Sequence, residues 1–224
     1  TLAEAGAKVV VADLNEQAAA GVSETLQSAG LEAYPVGVDV TRQVSVGEMV
    51  ATTLRQFGRL DILVNSAALD PKFDPQHQGG HAQSFEGFPL DAWEQALSVN
   101  LTGAFLCCQA AAQPMLAQEH GVFINICSTY GLVGPDQRLY EREGEQGPRQ
   151  YKPVYYSVTK AGILGLTRYL ATYYAGKNIR VNALTPGGVY NNHDEVFTEA
   201  YSARTIMGRM AHLDEMNGAL LFLA

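Results

Sequence analysis

The sequence lacks any apolar run approaching the length of about 18 residues that a membrane-spanning helix needs. Its first residues also lack the cationic and apolar pattern of a secretory leader. The sequence therefore predicts neither a membrane anchor nor secretion, and the expected location is the cytoplasm.

Positive charge is scarce. Lysine and arginine together number 15 against 23 aspartates and glutamates, which gives a formal net charge of −8. Such a chain repels polyanions on average, so we expect no nucleic-acid partner. A small anionic ligand is not excluded, because local hydrogen-bond donors can hold one on an acidic protein.

Cysteine is also rare: the three residues are Cys107, Cys108 and Cys127. An odd number of cysteines in apolar surroundings does not predict a disulfide framework. We interpret them as reduced core residues of a cytosolic protein. No adjacent histidine or cation pattern activates any of them as a catalytic thiol.

Apolar residues make up 47% of the chain and occur as short runs of two kinds. β-Branched runs predict buried parallel strands, whereas helical spacing predicts amphipathic helices. The predicted strands cover residues 8–13, 32–38, 60–64, 122–127 and 179–184. The predicted helices cover residues 15–29, 41–57, 90–118 with a bend, 154–175 and most of the tail from 191, and residues 1–6 form a last helical turn closed by Gly6. We expect one α/β domain over residues 1–224 with a doubly wound, Rossmann-like parallel sheet in three α/β/α layers.

Polar or turn-forming residues stand at or just after the ends of the predicted strands. They are Asp13, Asp39, Asn65, Ser128 and Pro186. Sheets of this kind bind ligands at the carboxyl ends of their strands. These positions are therefore expected to converge on one rim of the sheet and to form a ligand site there.

The strongest chemical pattern is the pair Tyr156 and Lys160, with Ser128 earlier in the chain. Positions i and i+4 share one helix face, and a nearby ammonium lowers a phenol's pKa from about 10 towards the working range. Such a pair can pass a proton to a carbonyl oxygen that the Ser128 hydroxyl positions. Alone, Tyr-x-x-x-Lys is commonly a surface pair, but the strand before it and the turn at residues 186–188 favour catalysis.

The motifs, in this order, resemble the short-chain dehydrogenase/reductase family over essentially the whole chain. Asn65-Ser66-Ala67-Ala68 is similar to the family's Asn-Asn-Ala-Gly stretch but departs at the second and fourth positions. Further matches are the segments 98–101, 125–128, 156–160, 179–183 and 185–187. The resemblance implies that Tyr156 is the general acid/base, that Lys160 tunes it and binds the nicotinamide ribose, and that Ser128 orients the carbonyl. It also implies that Asn100 anchors a water of the proton relay.

A carboxylate at the end of the second family strand bears on the choice of cofactor. Asp13 can accept hydrogen bonds from ribose hydroxyls and would repel the extra phosphate of NADP. No arginine or lysine lies among residues 11–15, so we predict NAD in preference to NADP. Asp13 could instead be a helix N-cap or a solvated strand end, and Asp39 could likewise be an N-cap. The resemblance implies further cofactor contacts at Leu14, Asp39, Val40, Asn65, Ala67, Tyr156, Lys160, Pro186, Gly187 and Val189.

The family's Gly-rich turn and its first and last strands have no counterpart in this sequence. We therefore expect a domain that is incomplete at both termini. The family's helices equivalent to those bearing Asn100 and Tyr156 form a dimer bundle, which implies a homodimer or homotetramer for a full-length parent. Two alternatives stay open: an NAD-dependent epimerase or dehydratase, and a non-catalytic truncated fragment.

Two long polar loops are predicted, at residues 69–88 and 132–153. In the first, His77 and His81 are separated by two glycines, which argues against a metal-binding helix, so no metal site is predicted. The second carries four cations among acidic residues: Arg138, Arg142, Arg149 and Lys152. It is either a solvated charged loop or a substrate lid whose arginines engage a carboxylate or phosphate. The family resemblance implies a secondary alcohol or ketone as substrate. The insert, with the segments 151–155 and 186–191, resembles members of bacterial surface-sugar pathways, so sugars are included in that class.

Overall fold

The computed structural model describes residues 1–69, 84–140 and 150–224. Its strands are β1 Val9–Asp13, β2 Ala33–Gly37, β3 Ile62–Asn65, β4 Gly121–Ile126 and β5 Ile179–Leu184. Its α-helices are α1 Glu16–Ser28, α2 Gln43–Phe57, α3 Leu90–Leu97, α4 Ala104–Ala117, α5 Val154–Tyr173, α6 Glu195–Ser202 and α7 Asn217–Leu223. All strand pairs are parallel, and helices lie between successive strands along the chain, as the sequence pattern predicts.

The strands form two sheets rather than one. β1 pairs with β2, and β4 lies between β3 and β5. No strand within the described ranges pairs with both β1 and β3, so hydrogen bonding does not join the two groups. The prediction of a Rossmann-like α/β architecture with parallel strands is confirmed.

The apolar composition of β4 explains its central place. Val122, Phe123 and Ile124 are all fully buried, as expected for a strand covered on both faces and paired on both edges. Phe123 stacks on Tyr174 at the end of α5, with ring centroids 6.1 Å apart. The end of β4 therefore determines where the residues after Ile126 leave the sheet.

Helix α4 contributes adjacent residues to two different hydrophobic cores. Cys108 packs with Phe123 and Val181 beneath β4 and β5. Cys107 packs instead with Val46 and Met49 of α2, together with residues that follow β2. The packing of α4, rather than strand pairing, therefore connects the β1–β2 side with the β3–β4–β5 side.

Local sequence accounts for several helix ends. The Asn15 side chain accepts a hydrogen bond from the Ala18 amide and starts α1. Gly58, with φ of 77°, ends α2 in a left-handed conformation that suits glycine.

All three cysteines are buried free thiols. No helix of the described residues is long and apolar enough to cross a membrane.

Three predicted elements differ from the structure. Residues 1–6 form a hydrogen-bonded turn ending at Gly6, not the last turn of a helix. The predicted bend within 90–118 is a π-helical segment, Ser98–Gly103, between α3 and α4. The tail is helical only in α6 and α7, because residues between them turn back so that Ala211 forms a bridge with Val189.

Candidate active site

The carboxyl ends of β4 and β5 bring the predicted strand-end residues of this sheet together. The Cys127 amide donates to the Leu184 carbonyl at 2.8 Å, and the Thr129 amide donates to the Pro186 carbonyl at 3.0 Å. These bonds extend the β4–β5 pairing past the strands. Ser128 and the turn at Pro186 therefore lie side by side, as the strand-end pattern predicts.

Asp13 and Asp39 occupy the corresponding edge of the other sheet. Asp13 pairs in register with Gly37, and the Val38 amide donates to the Asp13 carbonyl at 2.9 Å. The five predicted positions thus form two groups, one on each sheet. The prediction of a common rim is confirmed within each sheet, whereas no strand pairing in the described residues joins the groups.

Ser128 is positioned by the 3₁₀ turn that follows it, Thr129–Gly131. Its hydroxyl oxygen accepts from the Tyr130 amide at 3.2 Å and so caps that turn. The residue is buried, with 8% of its surface exposed. A buried hydroxyl held by a backbone donor has a defined direction, which suits it to orient a second polar group.

Tyr156 and Lys160 lie on the first turns of α5, one helical turn apart. Pro153 precedes this helix with φ of −59°, an angle compatible with a helix start. Lys160 is buried, and its ammonium donates to the Ile126 carbonyl at 2.8 Å. Its Nζ lies 5.8 Å from the centre of the Tyr156 ring. The strand β4 therefore holds the ammonium beside the tyrosine.

Asn100 lies in the π-helical segment and is buried. Its side-chain oxygen accepts from the Leu69 amide at 2.6 Å, and its amide donates to the Leu69 carbonyl at 3.0 Å. These bonds tie the segment after Ala68 to the helix. The water-anchoring role of Asn100 stays a prediction.

A buried polar network lies under the site. The Asn65 side-chain amide donates to Asn125 Oδ1 at 2.8 Å, and the Asn125 amide donates to Thr167 Oγ1 at 2.9 Å. Asn125 is fully buried, so these bonds replace those it would make with water. The network links β3, β4 and α5, and Asn125 precedes Ser128 by three residues. Sequence reasoning recognised Asn125 as a motif residue but did not reveal this role.

Replacing Asn125 with Leu is expected to lower the free energy of unfolding by about 2–4 kcal/mol, because buried donors lose their acceptor. Urea unfolding followed by circular dichroism measures this loss. Asn191→Leu on the exposed surface is the matched control and should change stability by less than about 0.5 kcal/mol. Equal stability of the two variants would contradict a structural role for the network.

Two aromatic residues near the site were not identified from the sequence. The Tyr130 and Tyr156 rings meet edge to face, with centroids 6.3 Å apart. The Tyr201 hydroxyl accepts from the Gly188 amide at 2.6 Å, so α6 contacts the turn after β5. Tyr130 follows Ser128 by two residues, a signal available in the sequence, whereas the Tyr201 contact joins distant segments.

The predicted lid has a described part, the 3₁₀ turn Gln137–Tyr140, which contacts α6. Arg138 donates twice to the Asp136 carboxylate, at 2.8 Å each, and Arg204 donates to it at 3.0 Å. Hydrogen bonds from Arg138 above all hold the pKa of Asp136 well below its usual range. Arg138 is therefore engaged with a protein carboxylate, which weakens its proposed role in binding an anion. Arg142, Arg149, His77 and His81 lie outside the described residues.

The β1–β2 edge carries the residues predicted to contact the adenosine. The Asp13 carboxylate is exposed and accepts from the Asn15 amide at 2.8 Å, and Leu14 is also exposed. The Asp39 carboxylate accepts two hydrogen bonds from Thr41, which lower its pKa. Neither aspartate caps a helix, since Asn15 caps α1 and no side chain caps α2.

Val40 connects this edge with the catalytic helices. A Cβ on Gly103 would come within 2.7 Å of the Val40 side chain, so the π-helical segment packs closely against the residue after Asp39. The remaining predicted cofactor positions lie beside the catalytic residues: Asn65 and Ala67 after β3, and Pro186, Gly187 and Val189 after β5. Their contacts with a cofactor stay predictions.

The cysteines contribute no reactive thiol to the site. Burial raises the pKa of Cys107 to about 11 and that of Cys108 to about 12. The Cys127 thiol donates to the Lys160 carbonyl at 3.1 Å, and burial raises its pKa as well. Among the described residues, no group of three or more His, Cys, Asp or Glu side chains is arranged to hold a metal ion.

Large side chains on the two helices of the predicted dimer bundle are exposed. Phe105 on α4 is 45% exposed, and Tyr169 and Tyr173 on α5 are 61% and 63% exposed. Each of these two helices therefore presents exposed aromatic side chains. The homo-oligomer itself stays a prediction.

The arrangement can move a proton at a carbonyl or hydroxyl oxygen. The Tyr156 phenol is the group that carries the proton, the Lys160 ammonium favours its ionised form, and the Ser128 hydroxyl can hold the reacting oxygen. Nothing in this set supplies electrons, so an oxidation or reduction at that site requires a redox partner.

Comparison with known proteins gives matches over the full chain. A family model described as enoyl-(acyl carrier protein) reductase matches residues 1–224. The chain is 34% identical to the cis-4-hydroxycyclohexanecarboxylate dehydrogenase of Sinomonas cyclohexanicum, over 100% of this chain and 81% of that protein. It is 32% identical to a 3-oxoacyl-[acyl-carrier-protein] reductase of Synechocystis sp., over 100% of this chain and 81% of that protein.

A solved structure gives the same picture for the fold. The gluconate 5-dehydrogenase of Burkholderia cenocepacia J2315, in complex with NADP and tartrate, superposes with a TM-score of 0.81 at 30% sequence identity. The superposition covers 100% of this chain and 80% of that one. The Rossmann-like α/β architecture is therefore shared, and each of the three matched proteins is named as a dehydrogenase or reductase.

Proposed function

The chain belongs to the short-chain dehydrogenase/reductase family, and on that premise we propose that it transfers a hydride between NAD(H) and a secondary alcohol or ketone, with Tyr156 as general acid/base. Membership makes it an oxidoreductase acting on CH–OH groups with a nicotinamide cofactor. The observation that supports the finer proposal is the pairing of Tyr156 with the buried Lys160 ammonium, held beside Ser128 at the end of β4.

In the proposed reaction, the bound cofactor supplies the chemistry that the side chains lack, by accepting or delivering the hydride at carbon. Ser128 donates a hydrogen bond to the substrate oxygen and holds it against Tyr156. In the oxidation direction the Tyr156 phenolate takes the hydroxyl proton, and in the reduction direction the phenol returns it. Lys160 stabilises the phenolate, and the Ile126 carbonyl fixes the ammonium in place.

The described residues fit a dinucleotide at both of its ends. The Asp13 carboxylate is exposed at the carboxyl end of β1. It accepts a hydrogen bond from the amide of Asn15, the residue just before α1. Carboxylates in that position suit the paired hydroxyls of an adenosine ribose. At the other end, Lys160 has the donors to bind the nicotinamide ribose, and residues 186–189 lie next to Ser128.

The preference for NAD over NADP rests on charge. A phosphate on the adenosine ribose would lie against the Asp13 carboxylate, and like charges in a partly dry site repel each other. The NADP in the gluconate 5-dehydrogenase structure belongs to that protein. In this chain no cation lies among residues 11–15 to offset the repulsion.

Cofactor titration tests this proposal directly. We expect the chain to bind NADH at least about tenfold more tightly than NADPH, and Asp13→Ser to remove most of that difference. Energy transfer from protein fluorescence to the bound nicotinamide gives both dissociation constants. Asp214→Ser, an exposed carboxylate far along the chain, is the matched control and should leave the ratio unchanged. Equal affinities in the unaltered chain, or no binding of either nucleotide, would contradict the proposed cofactor.

A further inference from the structure

Lys152 lies just before α5, four residues ahead of Tyr156. Its Nζ is 3.8 Å from the centre of the Tyr156 ring, whereas Nζ of Lys160 is 5.8 Å away. The nearer of these two ammonium groups to the ring is therefore not the one that the family motif identifies. A cation within about 6 Å of an aromatic face is attracted by the ring's quadrupole.

The backbone of Lys152 is fixed by a residue from the other end of the same insert. The Lys152 amide donates to Gln137 Oε1 at 2.9 Å, and the Gln137 side-chain amide donates to the Lys152 carbonyl at 3.3 Å. Pro153, which is buried, follows immediately and restricts the chain further. Two hydrogen bonds and a proline thus fix the backbone from which the Lys152 side chain reaches the Tyr156 ring.

We propose that Lys152 is a second cation of the active site, which acts together with Lys160 to stabilise the ionised form of Tyr156. The inference rests on the proposed role of Tyr156 as general acid/base. Ionisation adds a full negative charge to the ring system, so an ammonium over the ring face interacts more strongly with phenolate than with phenol. Lys152 therefore biases Tyr156 towards the proton-accepting form that alcohol oxidation requires.

Two other described ionisable side chains lie beside the Tyr156 ring. Lys160 approaches from α5 itself, and Tyr130 approaches from the turn after Ser128. Burial above all raises the pKa of Tyr130, against a smaller opposing influence from its hydrogen bond with Tyr140, so Tyr130 stays a neutral phenol. Asp136 and Tyr201 have smaller effects on Tyr130, and each raises its pKa. Within this set, the two ammonium groups are the charges that contact the Tyr156 ring.

The test compares the ionisation of Tyr156 in two variants. Lys152→Met removes the charge and keeps a long apolar side chain, whereas Lys152→Arg keeps the charge. Phenolate absorbance in the near ultraviolet is titrated against pH, and subtracting the curve of the same chain carrying Tyr156→Phe isolates Tyr156. We expect Lys152→Met to raise the titration midpoint of Tyr156 by about one pH unit, and Lys152→Arg to leave it nearly unchanged. Lys177→Met, an exposed lysine beyond the end of α5, is the matched control.

The inference is overturned if Lys152→Met leaves the midpoint in place, or if Lys152→Arg shifts it as far as Lys152→Met does. Should Lys152→Met fail to fold, Gln137→Leu loosens the backbone clamp without removing the ammonium, and the same midpoint should rise by a smaller amount. An unchanged titration midpoint in Gln137→Leu would then count against the inference. The titration needs neither substrate nor cofactor, so it can fail while the proposed function stands. Conversely, full turnover by Tyr156→Phe would remove the proposed function and leave the titration valid.

Discussion

Replacing Tyr156 with Phe should lower the rate of alcohol-dependent NADH formation by about 10³-fold or more, because it removes the atom that carries the proton. The substitution deletes a single oxygen. The ring contacts with Lys152 and Tyr130 involve the aromatic face and edge and survive in phenylalanine. The fold and the affinity for NADH should therefore persist while turnover is lost.

The measurement is kcat for NADH formation, taken together with the NADH dissociation constant of the same preparation. Tyr169→Phe is the matched control, since it removes a phenol from the same helix at an exposed position. Retention of more than a tenth of the turnover in Tyr156→Phe would remove the proposed acid/base from its role. If the unaltered chain rearranges a sugar without net NADH formation, the reaction is that of an epimerase or dehydratase instead.

Gly131→Ala should reduce kcat by about 10²-fold, although residue 131 carries no chemical group. A Cβ there would lie 2.8 Å from the backbone carbon and oxygen of Lys160 and 2.8 Å from the Cys127 sulfur. Backbone atoms inside a helix cannot shift without breaking the helix's hydrogen bonds. The added methyl group must therefore displace the turn after Ser128 from the helix that carries Tyr156 and Lys160.

The loss should appear in kcat more than in NADH affinity, because the displacement separates Ser128 from Tyr156. It should also lower the free energy of unfolding by about 1–3 kcal/mol through overpacking. Gly134→Ala, three residues along, is the control: a Cβ at that position meets nothing within 4 Å, so both turnover and stability should be unchanged. Wild-type kcat in Gly131→Ala would show that the turn and the helix can separate without effect on catalysis.

Much of the fold could be predicted from short apolar runs bounded by turn residues. The predicted limits of β5 agree residue for residue with the structure, and those of β4 differ by one residue at each end. The run Val122-Phe-Ile indicated a strand, and the structure buries all three residues at the centre of the sheet. The helix containing Tyr156 and Lys160 was predictable because the i, i+4 spacing and Pro153 agree.

The remaining features depend on contacts between distant segments, which a local pattern does not contain. The engagement of Asn100 with Leu69 joins residues 31 positions apart, and the sequence predicted only its motif role. The division of the strands into two sheets depends on which edges pair, and apolar runs do not specify partners. The sequence left two interpretations of the second loop open, and the long-range contact of Arg204 with Asp136, 68 positions earlier, was visible only in the structure.

The adjacent thiols of α4 can act as chemical reporters of local opening. Cys107 lies in the core formed with α2, and Cys108 lies in the core beneath β4 and β5. With pKa values raised to about 11 and about 12, neither thiol reacts appreciably near neutral pH unless its surroundings separate. The alkylation rate at each position therefore measures how often that core opens. Two neighbouring residues of one helix thus report separately on the opening of the core formed with α2 and of the core beneath β4 and β5.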